Sequence, residues 1–148
     1  MPRWLKIVLG IAGALLALCL VTSAAGYLWL DQNKERLKGV GERATTEGHD
    51  FGDGRDAEAC VDEALQRVAV RNGIVDQAEH KLFLKACLET AARAPEFCRD
   101  VPAKGELSAQ TVLASAGWAI GRCTAKGKAQ DQDCTRLMQV VQEACQRK

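Results

Sequence analysis

The sequence predicts an all-α protein with one N-terminal transmembrane helix, a glycine-rich stalk and a small four-helix domain stapled by disulfides. Three observations carry that reading. No charged residue lies between Lys6 and Asp31. Beyond Asp56 the apolar residues recur at helical spacing, and no β alternation of useful length appears. Six of the seven cysteines fall within residues 60–148. Charge is balanced, 20 basic against 19 acidic side chains, which argues against nucleic acid as a partner.

The charge-free run, Ile7 to Leu30, has Thr22 and Ser23 as its only polar side chains. As a helix it spans about 36 Å, enough for a hydrocarbon core of about 30 Å with some tilt. Trp4 at one end, and Tyr27 and Trp29 at the other, match interfacial aromatic belts. Ser23-Ala24-Ala25 offers small residues to a signal peptidase, but Tyr27-Leu28-Trp29-Leu30 carries the apolar run past them, so an uncleaved signal anchor is expected. Cys19 follows Leu18 where a lipoprotein would need a small residue. Gly10, Gly13, Ala14 and Ala17 form small-xxx-small pairs, which predict weak homodimer formation through the anchor.

The positive flanks do not decide orientation: Arg3 and Lys6 precede the run, and Lys34, Arg36, Lys38 and Arg43 follow it. The cysteines do. Cys60, Cys87, Cys98, Cys123, Cys134 and Cys145 contain no C-x2-C pair, and neither His49 nor His80 stands at ligand spacing from one, so zinc and thiol-redox motifs are absent. A disulfide framework remains, and it requires an oxidising compartment. The expected arrangement is a short cytoplasmic N-terminus (1–6), a span (7–30), a juxtamembrane stalk (31–55) and an extracytoplasmic domain (56–148). The organisation suggests a bacterial inner membrane protein with a periplasmic domain. In the stalk, Asp31 to Arg43 can extend the membrane helix by a turn or more, and Gly39, Gly41, Gly48, Gly52 and Gly54 then oppose helix, each by up to about 1 kcal/mol. Asp50, Asp53 and Asp56 lack the calcium-loop pattern.

Four helices follow. Helix A (56–71) starts at Asp56 as N-cap, buries Cys60/Val61, Ala64/Leu65 and Val68, and ends at Asn72-Gly73. Helix B (76–93) opens with Asp76-Gln77-Ala78-Glu79 at capping-box spacing and has an apolar stripe of Leu82/Phe83, Ala86/Cys87 and Thr90/Ala91. Pro95 and Pro102 bracket one or two turns. Helix C (108–125) has Ser108 as N-cap and an apolar stripe of Val112/Leu113, Ala116, Ala119/Ile120 and Cys123. Helix D (131–147) is capped by Asp131 or Asp133 and buries Cys134, Leu137/Met138, Val141 and Cys145.

Six cysteines allow fifteen pairings. Cys134 and Cys145 lie on one helix about 16 Å apart, beyond disulfide reach. Cys123 and Cys134 flank the Gly127 turn symmetrically, and that pair is expected first. Cys87 with Cys98, around the Ala94-Pro95 break, leaves Cys60 with Cys145. The alternative is Cys60 with Cys87, leaving Cys98 with Cys145. The run C-x26-C-x10-C-x24-C from Cys60 to Cys123 resembles the central spacing of saposin-like domains, small helical lipid-binding modules with three disulfides. The resemblance spans four cysteines only. The paired cysteines that open such domains are missing, and Cys134 and Cys145 are spaced differently from the closing one, so no family membership follows.

No nucleophile–base–acid set, phosphate loop or cofactor motif can be read, and no enzyme is expected. His80 reads as structural and His49 as part of a mobile stalk. Glu58, Asp62 and Glu63 read as a solvated face. Helix C carries one charge, Arg122, between Ser108 and Cys123. Either it is the central helix, packed on two sides, or Trp118 with Ala114, Thr111 and Gly121 forms an exposed patch for a partner. The function expected is a membrane-anchored extracytoplasmic interaction or accessory module with a protein partner in the envelope, an inhibitor or immunity-type protein being a special case. A lipid or small-ligand binder using the helix C face is the alternative.

Overall fold

A computed structural model describes residues 3–70, 73–103 and 108–146. The described residues form five helices and no strand: α1 (Arg3–Gly52), α2 (Ala57–Val70), α3 (Ile74–Thr90), α4 (Ala109–Ala125) and α5 (Gln132–Gln146). The chain divides into two compact units, Met1–Lys38 and Gly39–Lys148.

In the first unit the described part is helix, exposed from Gly10 to Leu30. One 18-residue window of this helix has a mean hydropathy of 2.0 with none of it buried, so among the described residues there is one helix long and apolar enough to cross a membrane. Thr22 turns its hydroxyl onto the Leu18 carbonyl at 2.9 Å, which satisfies that polar group inside the helix. Cys19 is a free, exposed thiol. Residues 1–2, part of the expected cytoplasmic N-terminus, lie outside the described residues.

The second unit begins inside the expected stalk, and here the structure corrects the sequence reading. Residues 39–52 are helix, not an irregular linker. The glycines serve contact. A Cβ on Gly48 would strike the Phe83 carbonyl oxygen, and one on Gly52 would strike the Cys87 carbonyl oxygen and the Thr90 hydroxyl. α1 thus lies close against α3, and burial outweighs the poor helix propensity of glycine. Ala44 and Phe51 join the core, with Phe51 edge-on to Phe83 at 5.7 Å. His49 belongs to this helix, 3.4 Å from Glu89, rather than to a mobile stalk. Gly54, at φ 70°, turns the chain after α1. The corner is then tied to the end of α3 by Ala57 N–H to the Ala92 carbonyl and Ala92 N–H to the Arg55 carbonyl.

Helix starts follow the capping residues. Asp56 accepts from Ala59 N–H at 2.8 Å, Ser108 from Thr111 N–H at 3.2 Å, and Asp131 from the N–H groups of Asp133 and Cys134. α3 starts two residues before the expected position. Gly73 is its N-cap, and Asp76 accepts from Gly73 N–H in the third-residue role. Gly127, at φ 71°, ends α4, with Lys128 N–H reaching back to the Cys123 carbonyl. Asn72 and residues 104–107 lie outside the described residues. Residues 95–100 make turns rather than helix, and Phe97 from this stretch is buried.

Among α2–α5, α3 lies against α2 and α5, and α5 also meets α2 and α4. The core is Val61, Leu65, Phe83, Leu84, Leu88, Leu137, Met138 and Val141, filled out by alanines. All six expected cysteines are disulfide-bonded, with Cα separations of 5.5–6.0 Å. Cys123 pairs with Cys134 across the Gly127 turn. The other two pairs are Cys60–Cys87 and Cys98–Cys145, so the expected Cys87–Cys98 and Cys60–Cys145 links are corrected. Cys60 is the fourth residue of α2 and Cys87 the fourth from the end of α3, so both stand at the open end of one antiparallel hairpin. Symmetry about Ala94-Pro95 fails because residues 95–100, directly after it, form turns and not a helix that returns along α3.

Polar side chains close the remaining joints. Arg93 donates to the Leu88 carbonyl through Nε and Nη2 and to the Ala144 carbonyl through Nη1, capping the ends of α3 and α5 together. Gln142, buried, donates to the Pro102 carbonyl and to Ser115 of α4.

Candidate functional site

α4 is an edge helix, and among α2–α5 its backbone comes close to α5 alone. The expectation of a central helix packed on two sides is therefore corrected. Its rotation is also different from the one its sequence suggests. Ala119 and Cys123 are buried, and Thr111, Ser115, Trp118 and Arg122 are half-buried on the same side. The stripe expected to face the core mostly faces out. Val112 is 55 % exposed, Leu113 71 % and Ile120 51 %, with Ala116 and Gly117 exposed between them. The helix is turned by about a quarter-turn from the hydrophobic expectation.

Three polar or covalent anchors hold that rotation. Ser115 receives Gln142 at 2.9 Å. Cys123 is bonded to Cys134. At the C-terminal end, Arg122 Nη2 lies 2.6 Å from Glu58 Oε1, and Lys126 Nζ lies 2.9 Å from Glu58 Oε2 and 2.6 Å from Asp62 Oδ1. The Lys126–Glu58 contact is an ion pair without hydrogen-bond alignment. Burial raises the pKa of Glu58, but the two cations beside it lower it further, leaving it below the ordinary carboxylate value. Burial lowers the pKa of Lys126, and Asp62 and Glu58 more than reverse that. The acids of α2 are thus structural ties, not an idle solvated face.

The expected patch is split by the same rotation. Trp118 turns inward and packs on the core, and Thr111 is half-buried beside it. Ala114 and Gly121 stay exposed. The exposed apolar surface is Leu113, Ala116, Gly117 and Ile120, with Val112 at its margin. The sequence does carry a signal for it: from Ser108 to Gly121 no residue is charged, so both sides of the helix are apolar or small. Leaving Leu113 and Ile120 in water forgoes about 1.5–3 kcal/mol for each full burial.

A second feature is a cleft of about 390 Å³ whose lining includes Arg43, Glu47, Glu63, Arg67, Val70 and His80. Arg67 pairs with Glu47 at 2.8 Å and Glu63 at 2.9 Å, and its guanidinium stacks on Phe83 at 3.7 Å. His80 is buried at this site, more deeply than the solvated or partly buried place its sequence suggests. Among the described residues no cluster of His, Cys, Asp and Glu could hold a metal ion. No family model, curated protein or solved structure matches the chain significantly.

Proposed function

We propose that this chain is a membrane-anchored, extracytoplasmic interaction module that presents the outer face of α4 to a protein partner in the envelope. The observation that carries this reading is the uncharged, exposed row Leu113–Ala116–Gly117–Ile120, held outward by a disulfide and an ion-pair network. An apolar row fixed outward at the expense of its own burial is an expected property of a docking surface. An accessory or inhibitor role fits the same surface. The lipid or small-ligand alternative has less support, because among the described residues the clefts of about 390 and 300 Å³ are lined by residues outside this row.

In this reading the apolar part of α1 is a single-pass signal anchor in a bacterial inner membrane, with the N-terminus inside and the domain in the periplasm. The three disulfides support an oxidising compartment for residues 39–148. Small residues at Gly10, Gly13, Ala14 and Ala17 would allow the anchors to associate weakly.

Two measurements test the proposal. Alkaline phosphatase fused after Lys148 should be active in cells, and an inactive fusion would overturn the orientation. Leu113→Cys should react with a membrane-impermeant maleimide slowly in native membranes and quickly once the full chain is diluted in detergent. Gln139→Cys, on the exposed side of α5, should react quickly in both. Equal rates for Leu113→Cys in both settings would show that nothing covers the face.

A further inference from the structure

We propose that the end of the domain where α2 passes into α3 rests on the lipid bilayer, with Val70 and Ile74 inserted among the headgroups and the upper acyl chains. The inference rests on the preceding reading that the apolar run of α1 is a membrane anchor. Exposure is the first argument. Among the described residues beyond Lys38, Val70 at 83 % and Ile74 at 89 % are the two most exposed large hydrophobic side chains. Neither contributes to the core, and β-branched side chains are weaker helix formers than most. Neither packing nor local propensity therefore accounts for them. From Ile74 the exposed apolar side of α3 continues one and two turns on, at Ala78 and Leu82.

Position is the second argument. Within the domain α1 and α3 run in the same direction. A Cβ on Gly48 would meet Phe83 and Ala86, and one on Gly52, about a turn later, would meet Cys87 and Thr90. Carried back along both helices, that offset sets the first turn of α3 level with Gly39, where the chain enters the domain. α2 is antiparallel to α3, so its last residue, Val70, stands at this end too. The Gly54 corner stands at the other end of α2, about 20 Å away. Eight residues, 31–38, separate Leu30 from Gly39, and in helix they rise about 12 Å. An anchor ending at Leu30 therefore brings the Val70–Ile74 end next to the interface.

Chemistry is the third argument. The sequence between the two aliphatics, Arg71-Asn72-Gly73, brings one charge, and it is positive, the sign that anionic headgroups attract. Asp76, in the first turn of α3, is turned onto the Gly73 N–H at 3.0 Å as a cap. Because the anchor already holds the chain on the bilayer, the contact is intramolecular, and two aliphatic side chains suffice to favour it.

The test uses the full chain in vesicles of phosphatidylethanolamine and phosphatidylglycerol, with Cys19→Ala to remove the free thiol. A nitrobenzoxadiazole label is placed at Ala78→Cys, which leaves Val70 and Ile74 native, or at Asp53→Cys beside the Gly54 corner. Both positions are exposed. A lipid spin-labelled near the top of its acyl chain should quench the label strongly at position 78 and hardly at position 53. Val70→Glu with Ile74→Glu should reduce the quenching at position 78 about fivefold by removing the apolar contact. Peptide mapping should still find the three disulfides in that variant, because both side chains stand in solvent in the domain. Equal quenching at the two positions, or quenching at position 78 indifferent to the double substitution, would overturn the proposal. Flotation with the vesicles after carbonate extraction reports the anchor separately. A chain that floats without quenching at position 78 keeps the anchor and loses the contact, whereas a chain extracted by carbonate would overturn both.

Discussion

Glycine residues at three positions of α1 have opposite consequences when replaced. Gly48 and Gly52 touch α3 backbone, whereas Gly39 has open space where a Cβ would go. Gly39→Ala is expected to stabilise the helix by up to about 1 kcal/mol. Gly48→Ala should destabilise it by about 1–3 kcal/mol, because the displaced atom is a backbone carbonyl that cannot swing aside. Thermal melting of the two variants should therefore move in opposite directions, and equal shifts would contradict the close approach of α1 to α3. Glu58 gives a pH test. Its folded pKa lies below its ordinary value of 4.5, so its contribution is present above about pH 4.5 and lost as pH falls through the folded value. Lys126 is raised above 10.5, so its share persists until strongly alkaline pH. The Glu58 side chain is 41 % exposed, which limits the tie to about 1 kcal/mol or less. Glu58→Gln should lower the melting temperature at pH about 7, and the gap to the native protein should close as the pH falls through the folded value. A gap that persists in acid would assign the effect to packing instead.

At the scale of elements, the sequence was legible where a local rule governs. Asp56, Ser108 and Asp131 start their helices as their side-chain chemistry requires, and Gly127 ends α4. The 24-residue apolar run reads directly as helix. Legibility failed where a long-range contact overrode a local one. Glycines that oppose helix in isolation are helical in residues 39–52 because α3 lies against them. The C-x10-C symmetry that correctly pairs Cys123 with Cys134 misleads at Cys87 and Cys98, since only the first interval encloses a helical hairpin. The rotation of α4 was illegible because apolar residues occupy both of its sides. Which side turned inward was set by Gln142, Cys134 and Glu58, all remote in sequence. The rotation predicts a contrast in the full chain diluted in detergent. Trp118→Ala should cost about 2 kcal/mol or more, and Leu113→Gln should stay within about 0.5 kcal/mol. The reverse order would mean that the stripe read from the sequence is the buried one.

For the whole molecule, stability depends strongly on its cross-links. The core has two aromatic residues that are fully buried or nearly so, Phe83 and Phe97, and much of the rest is alanine and cysteine. In the chain-entropy account the Cys98–Cys145 link, with a sequence separation of 47, contributes about 4 kcal/mol, and Cys123–Cys134, with a separation of 11, about 3 kcal/mol. Complete reduction should therefore abolish the cooperative thermal transition near physiological temperature. Cys134→Ala with Cys123→Ala should lower the melting temperature less than Cys98→Ala with Cys145→Ala. A reduced protein that melts within a few degrees of the oxidised one would place the stability in the core after all.

The order of the cysteines along the chain has a consequence for biosynthesis. Cys60–Cys87 is closed by neighbours in sequence, but Cys98–Cys145 encloses Cys123–Cys134. A chain oxidised as it emerges from its N-terminal side presents Cys98 and then Cys123 before either has met its native partner. Joining thiols in order of appearance yields one correct bond and then a Cys98–Cys123 error. Maturation thus requires that Cys98 wait, or that a thiol–disulfide isomerase undo the mistake. Cells lacking such an isomerase should accumulate chains bearing the Cys98–Cys123 bond, recoverable by peptide mapping after acid trapping of free thiols.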